Sequence, residues 1–389
     1  MPGKKAVLKS RKKEEAVLTE RRKVTPEEKI KELEKEISTT KYNKKTQHAI
    51  GMMKAKLAML KQKQIARSSV GKAKGDDRYA VRKTGDGTAV LLGFPSVGKS
   101  TLLNKITNAK SDVAAYSFTT LNAVPGILDY KFAKVQIIDV PGIVSGAAAG
   151  TGRGKEVLSI IRNADLVIIL IDALYPHHYK SILREVYNSG VRINMEKPDV
   201  KITKKQRGGV SVGTTVKLTK MTKKTVVDIT REMRITNADV LIRTNIDADE
   251  LIDVIEANRS YTKSLTIITK ADLVKEAKLK ELVKNIKPDV VVSAEKGTGI
   301  EELKEAIFDK MGFIRVFLKE VNKSADMEEP LIMFKGCTIK DVCMKLHRDF
   351  VTKFKFARLW GKSAKFDAQV FKKLNKALAD EDVLELHMN

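Results

Sequence analysis

The segment GFPSVGKS, residues 93–100, constrains this chain more than any other stretch. It follows an apolar run at 89–92 directly and leads into a helix-forming run at 101–106. That is the strand–loop–helix order a phosphate-binding loop requires. In the pattern Gly93-x4-Gly98-Lys99-Ser100 the glycines let backbone N–H groups turn inward onto phosphate oxygens, at the positive end of the following helix. Lys99 reaches the β- and γ-phosphates, and Ser100 can ligate Mg2+. Phe94, Pro95, Ser96, Val97 and Thr101 complete the loop around the phosphates.

The flanking pattern agrees with that loop. Short, continuously apolar runs at 89–92, 135–139, 166–171, 265–269 and 290–293 alternate with helical segments. Such runs predict a mostly parallel sheet with helices on both faces. Residues 177–247 interrupt the rhythm: Thr/Val/Lys alternation at 210–217 and 225–230 and the turn Gly208-Gly209 predict a small inserted α+β domain. Residues 313–389 form a further unit, with strands expected at 314–318 and 383–386 and a helix opening at Thr338. Ahead of the phosphate loop, residues 1–87 read as a basic tail and a helical hairpin. Thr25 caps the first helix, Pro26 suits its first position and Glu28 completes a capping box. Ile30, Leu33 and Ile37 mark one apolar stripe, and Ile50, Met53, Leu57 and Leu60 a second, beyond a break at 38–43. The expected division is therefore 1–87, 88–176, 177–247, 248–312 and 313–389, in keeping with a chain too long for one core.

Charge bears on partners. The formal net charge is +26. Residues 1–75 hold 22 Lys/Arg against 8 Glu, so over half the excess sits in about a fifth of the chain. Such a field attracts polyanions, nucleic acid above all. Residues 1–24 read as a low-complexity tail and 68–78 as a Gly/Ser/Lys linker. Two cysteines, Cys337 and Cys343, give no disulfide framework and suit a reducing cytoplasm. The start lacks the apolar core of a secretory signal, and the run at 166–171 is far too short to cross a bilayer, so no membrane role is expected.

A phosphate loop does not select a base. Three further segments do. Asp139-Val140-Pro141-Gly142 ends a strand; Asp139 can join a Mg2+ shell, and the Gly142 N–H can sense the γ-phosphate. Thr269-Lys270-Ala271-Asp272 ends another strand. A carboxylate at 272 can accept both N1–H and the exocyclic N2–H2 of guanine, a pair adenine does not offer. Ser293-Ala294-Glu295-Lys296 follows the next strand and would bring the Ala294 N–H to guanine O6. Each motif alone is also an ordinary turn or cap; their order at successive strand ends is what gives them weight.

Together with Phe118-Thr119-Thr120-Leu121, Pro125-Gly126 and DVPGIVSGAAAGTGRGKEVLSIIRNADLVIILIDA (139–173), these segments resemble the Obg-related translation-factor GTPases, and within them the Drg family of developmentally regulated GTP-binding proteins found in archaea and eukaryotes. The resemblance covers nearly the whole chain. It implies a P-loop GTPase domain in two parts (88–176 and 248–312), split by the inserted domain, and a C-terminal ubiquitin-like, β-grasp TGS domain at 313–389. It implies hydrolysis of GTP to GDP and phosphate on ribosomes or RNA. Thr120, with Thr119 the second candidate, would close on Mg2+ and the γ-phosphate. Metal ligation then falls to Ser100, Thr120 and Asp139, catalysis to Lys99, Thr120 and Gly142, and guanine recognition to Thr269, Lys270, Asp272, Ser293 and Ala294. Thr269 departs from the family's Asn, and the loss of an amide that braces the phosphate loop is expected to lower affinity. Ser96 stands where potassium-activated relatives carry Asn, which leaves K+ activation open.

Ile143 occupies the place of the water-orienting Gln of many GTPases, so hydrolysis is expected to be slow without an ion or a helper protein. Arg153 and Lys155 lie in a Gly-rich stretch suited to order–disorder switching and face phosphates, RNA or solvent. His177 and His178 lack the further ligands of a metal site and read as a surface turn. Phe354, Phe356 and Trp360 among Lys353, Lys355 and Arg358 fit either an RNA-stacking surface or the packed side of a small β-grasp fold. Two functions follow: a GTP-hydrolysing switch on ribosomes, or a nucleotide-gated RNA-binding assembly module with negligible turnover.

Overall fold

A computed structural model describes residues 25–68, 85–107, 124–140 and 160–388. The chain divides into two compact units, Met1–Lys74 with Lys197–Arg259, and Gly75–Glu196 with Ser260–Asn389.

The first unit begins with α1 (Pro26–Thr39) and α2 (Gln47–Ser68). The expected capping box is present: the Glu28 N–H donates to the Thr25 hydroxyl at 3.2 Å, and the Thr25 N–H to the Glu28 carboxylate at 2.8 Å. The helices run antiparallel, with Lys61 Nζ 2.7 Å from Glu34. The stripe at Ile50, Met53, Leu57 and Leu60 is only part of the apolar surface of α2. Met52, Ala55, Ala58 and Met59 pack into the core of the inserted segment, so this helix serves two contacts.

The second unit starts with β1 (Gly87–Leu92), α3 (Lys99–Ile106), β2 (Val124–Tyr130), β3 (Ala133–Asp139), β4 (Leu166–Asp172), α4 (His178–Asn188) and β5 (Val191–Ile193). The chain then makes the inserted elements β6 (Val200–Lys204), β7 (Val210–Thr214), α5 (Lys223–Glu232), β8 (Ala238–Ile242) and α6 (Ala248–Glu256). It returns through β9 (Ser260–Thr269), α7 (Glu276–Ile286), β10 (Val290–Val291) and α8 (Ile300–Met311).

The main sheet has the order β10-β9-β4-β1-β3-β2, with β5 also paired to β9. All pairings are parallel except β2 on β3. Every residue of β1 and β4 is buried, which is why their sequences are continuously apolar rather than alternating. One face carries Leu91, Ile168, Leu170 and Ile267 against α3 and α8; the other carries Val90, Leu92, Val167 and Ile169 against α4.

The inserted unit has bounds other than 177–247. Residues 178–193 continue the main domain: Ile182 and Val186 of α4 join its core, and β5 pairs with β9 from Val191↔Ser260 to Ile193↔Thr262. At the other end, α6 belongs to the insert, because Leu251 and Ile252 bury among Val226, Ile229 and Val240. The insert therefore spans 197–259. Its three-stranded sheet runs β6-β8-β7. The alternation at 225–230 lies in a helix and not a strand. Thr222 caps α5 by accepting the Thr225 N–H at 3.1 Å, and Val226, Ile229 and Thr230 share the buried face at helical spacing.

The C-terminal region forms β11 (Phe313–Lys319), β12 (Leu331–Phe334), α9 (Ile339–Leu346), α10 (Arg348–Thr352), β13 (Phe354–Trp360), β14 (Gln369–Phe371) and β15 (Asp382–Met388). Its sheet order, β12-β11-β15-β13-β14, with β11 and β15 parallel at the centre, is that of a ubiquitin-like β-grasp. A register shift lies between Phe354 and Phe356. Phe354 packs on the core with Ala357 and Leu359. Phe356 stacks on His387 with ring centroids 4.1 Å apart and planes 15° from parallel, and Lys319 Nζ lies 5.1 Å from the Trp360 ring centroid. Phe354 thus serves the packed β-grasp, while Phe356 and Trp360 lie half-buried outside its core.

Ile168 is fully buried at the centre of β4. Ile168→Ala should cost about 2–5 kcal/mol, read as a lower urea midpoint for the main domain; an unchanged midpoint would contradict this packing.

Candidate functional site

The phosphate loop leaves the C-terminal end of β1, a central strand of the parallel sheet, where such sheets place ligands. Two features fix its path. A Cβ at Gly93 would lie 2.8 Å from Val97 Cγ1 and 3.1 Å from the Leu170 carbonyl, so only glycine fits. Gly98 adopts φ +95° as it opens α3, a backbone region glycine enters without strain. Val97 is buried in the core and anchors the loop, while Pro95, Ser96, Ser100 and Thr101 are exposed. Ser96 holds φ +63°.

Lys99 is buried, and its ammonium donates to the Gly93 and Phe94 carbonyls, both at 3.2 Å. Burial pushes its pKa down, and the Asp139 carboxylate acts against that. A cation held only by two neutral carbonyls is ready to exchange them for phosphate oxygens.

Asp139 ends β3 next to this loop. Its Oδ2 accepts the Ser100 hydroxyl at 3.0 Å. Its Oδ1 is buried and has no hydrogen-bond partner among the described residues. An unsatisfied carboxylate oxygen beside a hydroxyl is a hard-oxygen pair that fits a divalent cation such as Mg2+. No cluster of three or more His, Cys, Asp or Glu suited to a metal occurs among the described residues, so any ion here would complete its shell from phosphate and water. Thr119, Thr120, Gly142, Ile143, Arg153 and Lys155 lie outside the described residues.

The segments expected to read the base meet at the ends of β9 and β10. Thr269 does not leave the phosphate loop unbraced, as the missing Asn suggested. Its hydroxyl donates to the Val97 carbonyl at 2.8 Å, with the Ile171 carbonyl at 3.3 Å. The threonine hydroxyl therefore ties this strand end to the phosphate loop although no amide stands at 269. Lys270, at φ +56°, turns the chain into the 3-10 turn Ala271–Leu273 that carries Asp272. The Ser293 hydroxyl holds the Asp272 carboxyl below its usual range, with Lys296 adding to the effect. Ser293 is buried, its hydroxyl accepts the Lys296 N–H at 3.3 Å, and its backbone N–H donates to Thr298 at 3.0 Å. Ala294 follows it, half-buried. The arrangement presents an ionised carboxylate with a fixed orientation, able to accept two adjacent N–H donors.

Two contributors escaped the sequence reading. Asp172, at the end of β4, is 2.8 Å from Lys270 Nζ and accepts the Leu174 N–H at 2.8 Å. His178 opens α4 and stacks on Phe94, with centroids 3.8 Å apart and planes 7° from parallel; Tyr175 and His177 flank it. Burial and the neighbouring His177 lower the His178 pKa, opposed by Asp172, which favours the neutral ring. The surface turn thus packs on the phosphate loop. The available signal was position: Asp172 ends a buried parallel strand and His178 opens the helix after it.

Residues 88–205 match the family described as "50S ribosome-binding GTPase", 207–313 the C-terminal region of that MMR_HSR1 domain, and 314–388 the TGS domain. An uncharacterized GTP-binding protein of Methanocaldococcus jannaschii is 49% identical over 364 residues, covering 92% of each chain. The developmentally-regulated GTP-binding protein 2 homolog of Dictyostelium discoideum is 40% identical over 92% of this chain and 98% of its own length. The developmentally-regulated GTP-binding protein 2 of Bos taurus is 38% identical with the same coverage, 92% and 98%.

Thr269→Val keeps the shape and removes the donor to Val97. It should weaken guanine nucleotide binding by about tenfold, the effect of leaving one buried carbonyl unpaired, measured by titration calorimetry. Wild-type affinity would show that the tie does not support the loop.

Proposed function

The chain belongs to the family of developmentally regulated GTP-binding proteins, and from that premise we propose that it is a slow GTP-hydrolysing switch acting on ribosomes or ribosome-bound RNA. The single observation that carries the nucleotide half is the Thr269–Val97 bond. It fastens the loop holding Lys99 to the strand end holding Asp272, so that one ligand can be gripped at both ends.

In this reading the Lys99 ammonium gives up the Gly93 and Phe94 carbonyls for β- and γ-phosphate oxygens. Gly98 and Ser100 offer backbone N–H groups at the helix start, within the loop 93–101. Asp272 accepts the two guanine N–H donors, Lys270 and Thr269 hold its turn, and the Ala294 N–H meets O6. Mg2+ would be held by Ser100 and Asp139, with Thr120 as the switch ligand, and when bound would neutralise charge on the β- and γ-phosphate oxygens. Water attacks the γ-phosphorus and the bond to the β-phosphate oxygen breaks, giving GDP and phosphate. Gly142 senses whether the γ-phosphate is there. Ile143 orients no water, so turnover is slow until K+, a helper protein or the ribosome completes the site.

The partner half is supported by the charge of residues 1–75, 22 Lys/Arg against 8 Glu, and by the ribosome-binding description of the matching GTPase family. The N-terminal hairpin and the TGS domain are the proposed contacts. A cytoplasmic place is part of the same reading; among the described residues no helix is long and apolar enough to cross a membrane. Ile143 also favours the second reading, a nucleotide-gated binding module with negligible turnover.

Two measurements test these readings. Calorimetry should show GTP favoured over ATP by at least about a hundredfold, because adenine leaves the carboxylate unpaired, and Asp272→Asn should erase most of that preference. Equal affinities for the two nucleotides would end the guanine assignment. Single-turnover hydrolysis should rise on adding ribosomes, in K+ or Na+ buffer. A rate that no addition raises would leave the binding module as the function.

A further inference from the structure

The cations of the inserted unit are unevenly paired. Arg243 lies 3.0 Å from Asp199, and Arg259 bonds Asp253 at 2.7 Å and also Glu256. The other three arginines of residues 197–259, Arg207, Arg231 and Arg234, are exposed and have no ion-pair partner among the described residues. All three sit at one end of the small sheet. Arg207 is on the β6–β7 turn, Arg231 in the last turn of α5, and Arg234 on the turn into β8.

The two turns are stitched together. The Gly209 N–H donates to Asn237 Oδ1 at 2.8 Å, Asn237 Nδ2 donates to the Gln206 carbonyl at 3.3 Å, and the Lys205 N–H to the Asn237 carbonyl at 3.0 Å. Gly208 and Gly209, at φ +105° and +73°, let the β6–β7 turn fold back onto Asn237. The nearby carboxylate Asp239 is committed to Lys205 and to the Ser211 hydroxyl. Glu232, between Arg231 and Arg234 in sequence, makes no ion pair among the described residues, and Lys204 adds a further exposed cation. The α5 C-terminus accounts electrostatically for Arg231, but not for Arg207 or Arg234.

We propose that this end of the inserted unit docks the phosphodiester backbone of RNA, through Arg207 and Arg234 on turns joined by Asn237 and through Arg231 in the last turn of α5. Guanidinium forks match phosphate oxygens bidentately, and turns held by Asn237 lose little freedom on binding. None of the exposed large apolar side chains of the described residues falls at 204–209 or 231–237. That absence favours backbone contact over base stacking, and RNA over a membrane surface or an acidic protein, whose docking calls for apolar anchors. The inference rests on the ribosome/RNA reading above and adds to it a surface separate from the N-terminal hairpin and the TGS domain.

The test uses the full chain, purified ribosomes and a labelled double-stranded RNA, with affinity followed across a salt series. Replacing Arg207, Arg231 and Arg234 together by Ala should make the slope of log K against log salt shallower by about two to three units, while GTP affinity stays at the wild-type value. Replacing the same three by Lys should keep most of the slope. An Ala variant with wild-type affinity and slope would overturn the inference and leave the ribosome reading standing. A wild-type protein that binds neither ribosome nor RNA would bring down that reading and the inference with it. A defect seen only with phosphatidylserine vesicles would assign the surface to membranes and equally overturn it.

Discussion

The hydroxyl of Thr269 on the carbonyl of Val97 joins positions 172 residues apart. It matters because the phosphate grip and the carboxylate come from opposite halves of an interrupted domain. The loop 93–100 is built early in the chain and Asp272 comes after the insert. Parallel pairing of β1, β4 and β9 puts both at the same sheet edge, but pairing alone sets only the general neighbourhood. The hydroxyl tie fastens the phosphate loop directly to the strand end that leads into Asp272. With no asparagine at 269, the donor to the loop carbonyl is a threonine hydroxyl.

The interruption costs the sheet little. The chain leaves β5 and returns in β9 with Val191 opposite Ser260, and the Ser260 N–H donates to the Gly190 carbonyl at 3.1 Å. Departure and return are therefore adjacent. Loop-closure entropy grows only slowly with the length of what lies between, so a separately packed segment can sit there. The insert builds its own core of Val226, Ile229, Val240 and Leu251, with Ala55 and Met59 of the N-terminal hairpin completing it. A basic hairpin far away in sequence is thus fixed to the insert by apolar contact, leaving its lysine faces outward.

The β-grasp domain shows a different constraint. Glu385, fully buried in β15, is met by Lys319, Arg358 at 3.3 Å and His387 at 2.6 Å. Burial acts to raise its pKa, and Lys319 and His387 overcome that to leave it lowered. A buried charge left alone is strongly destabilising; here the partners come from β11, β13 and β15, so the ion cluster ties together the three strands at the middle of the sheet.

The phosphate loop, the five apolar strands of the main sheet and the capped N-terminal hairpin were legible in the sequence, because each rests on local rules: continuous burial, a cap, a glycine that must adopt positive φ. The family resemblance added the β-grasp domain, whose weak alternation says little by itself. What remained illegible depended on distant partners. The ends of the insert moved to 197 and 259 because Ile182, Val186, Leu251 and Ile252 are apolar on a helix face either way, and only packing says which core receives them. The run at 225–230 has strand-like composition, yet the cap at Thr222 and the face it buries make it a helix. The Thr269 tie, the His178–Phe94 stack and the arginine end of the insert, without ion pairs among the described residues, needed three dimensions too, since hydrogen bonds, ring contacts and counter-charges are properties of neighbours in space.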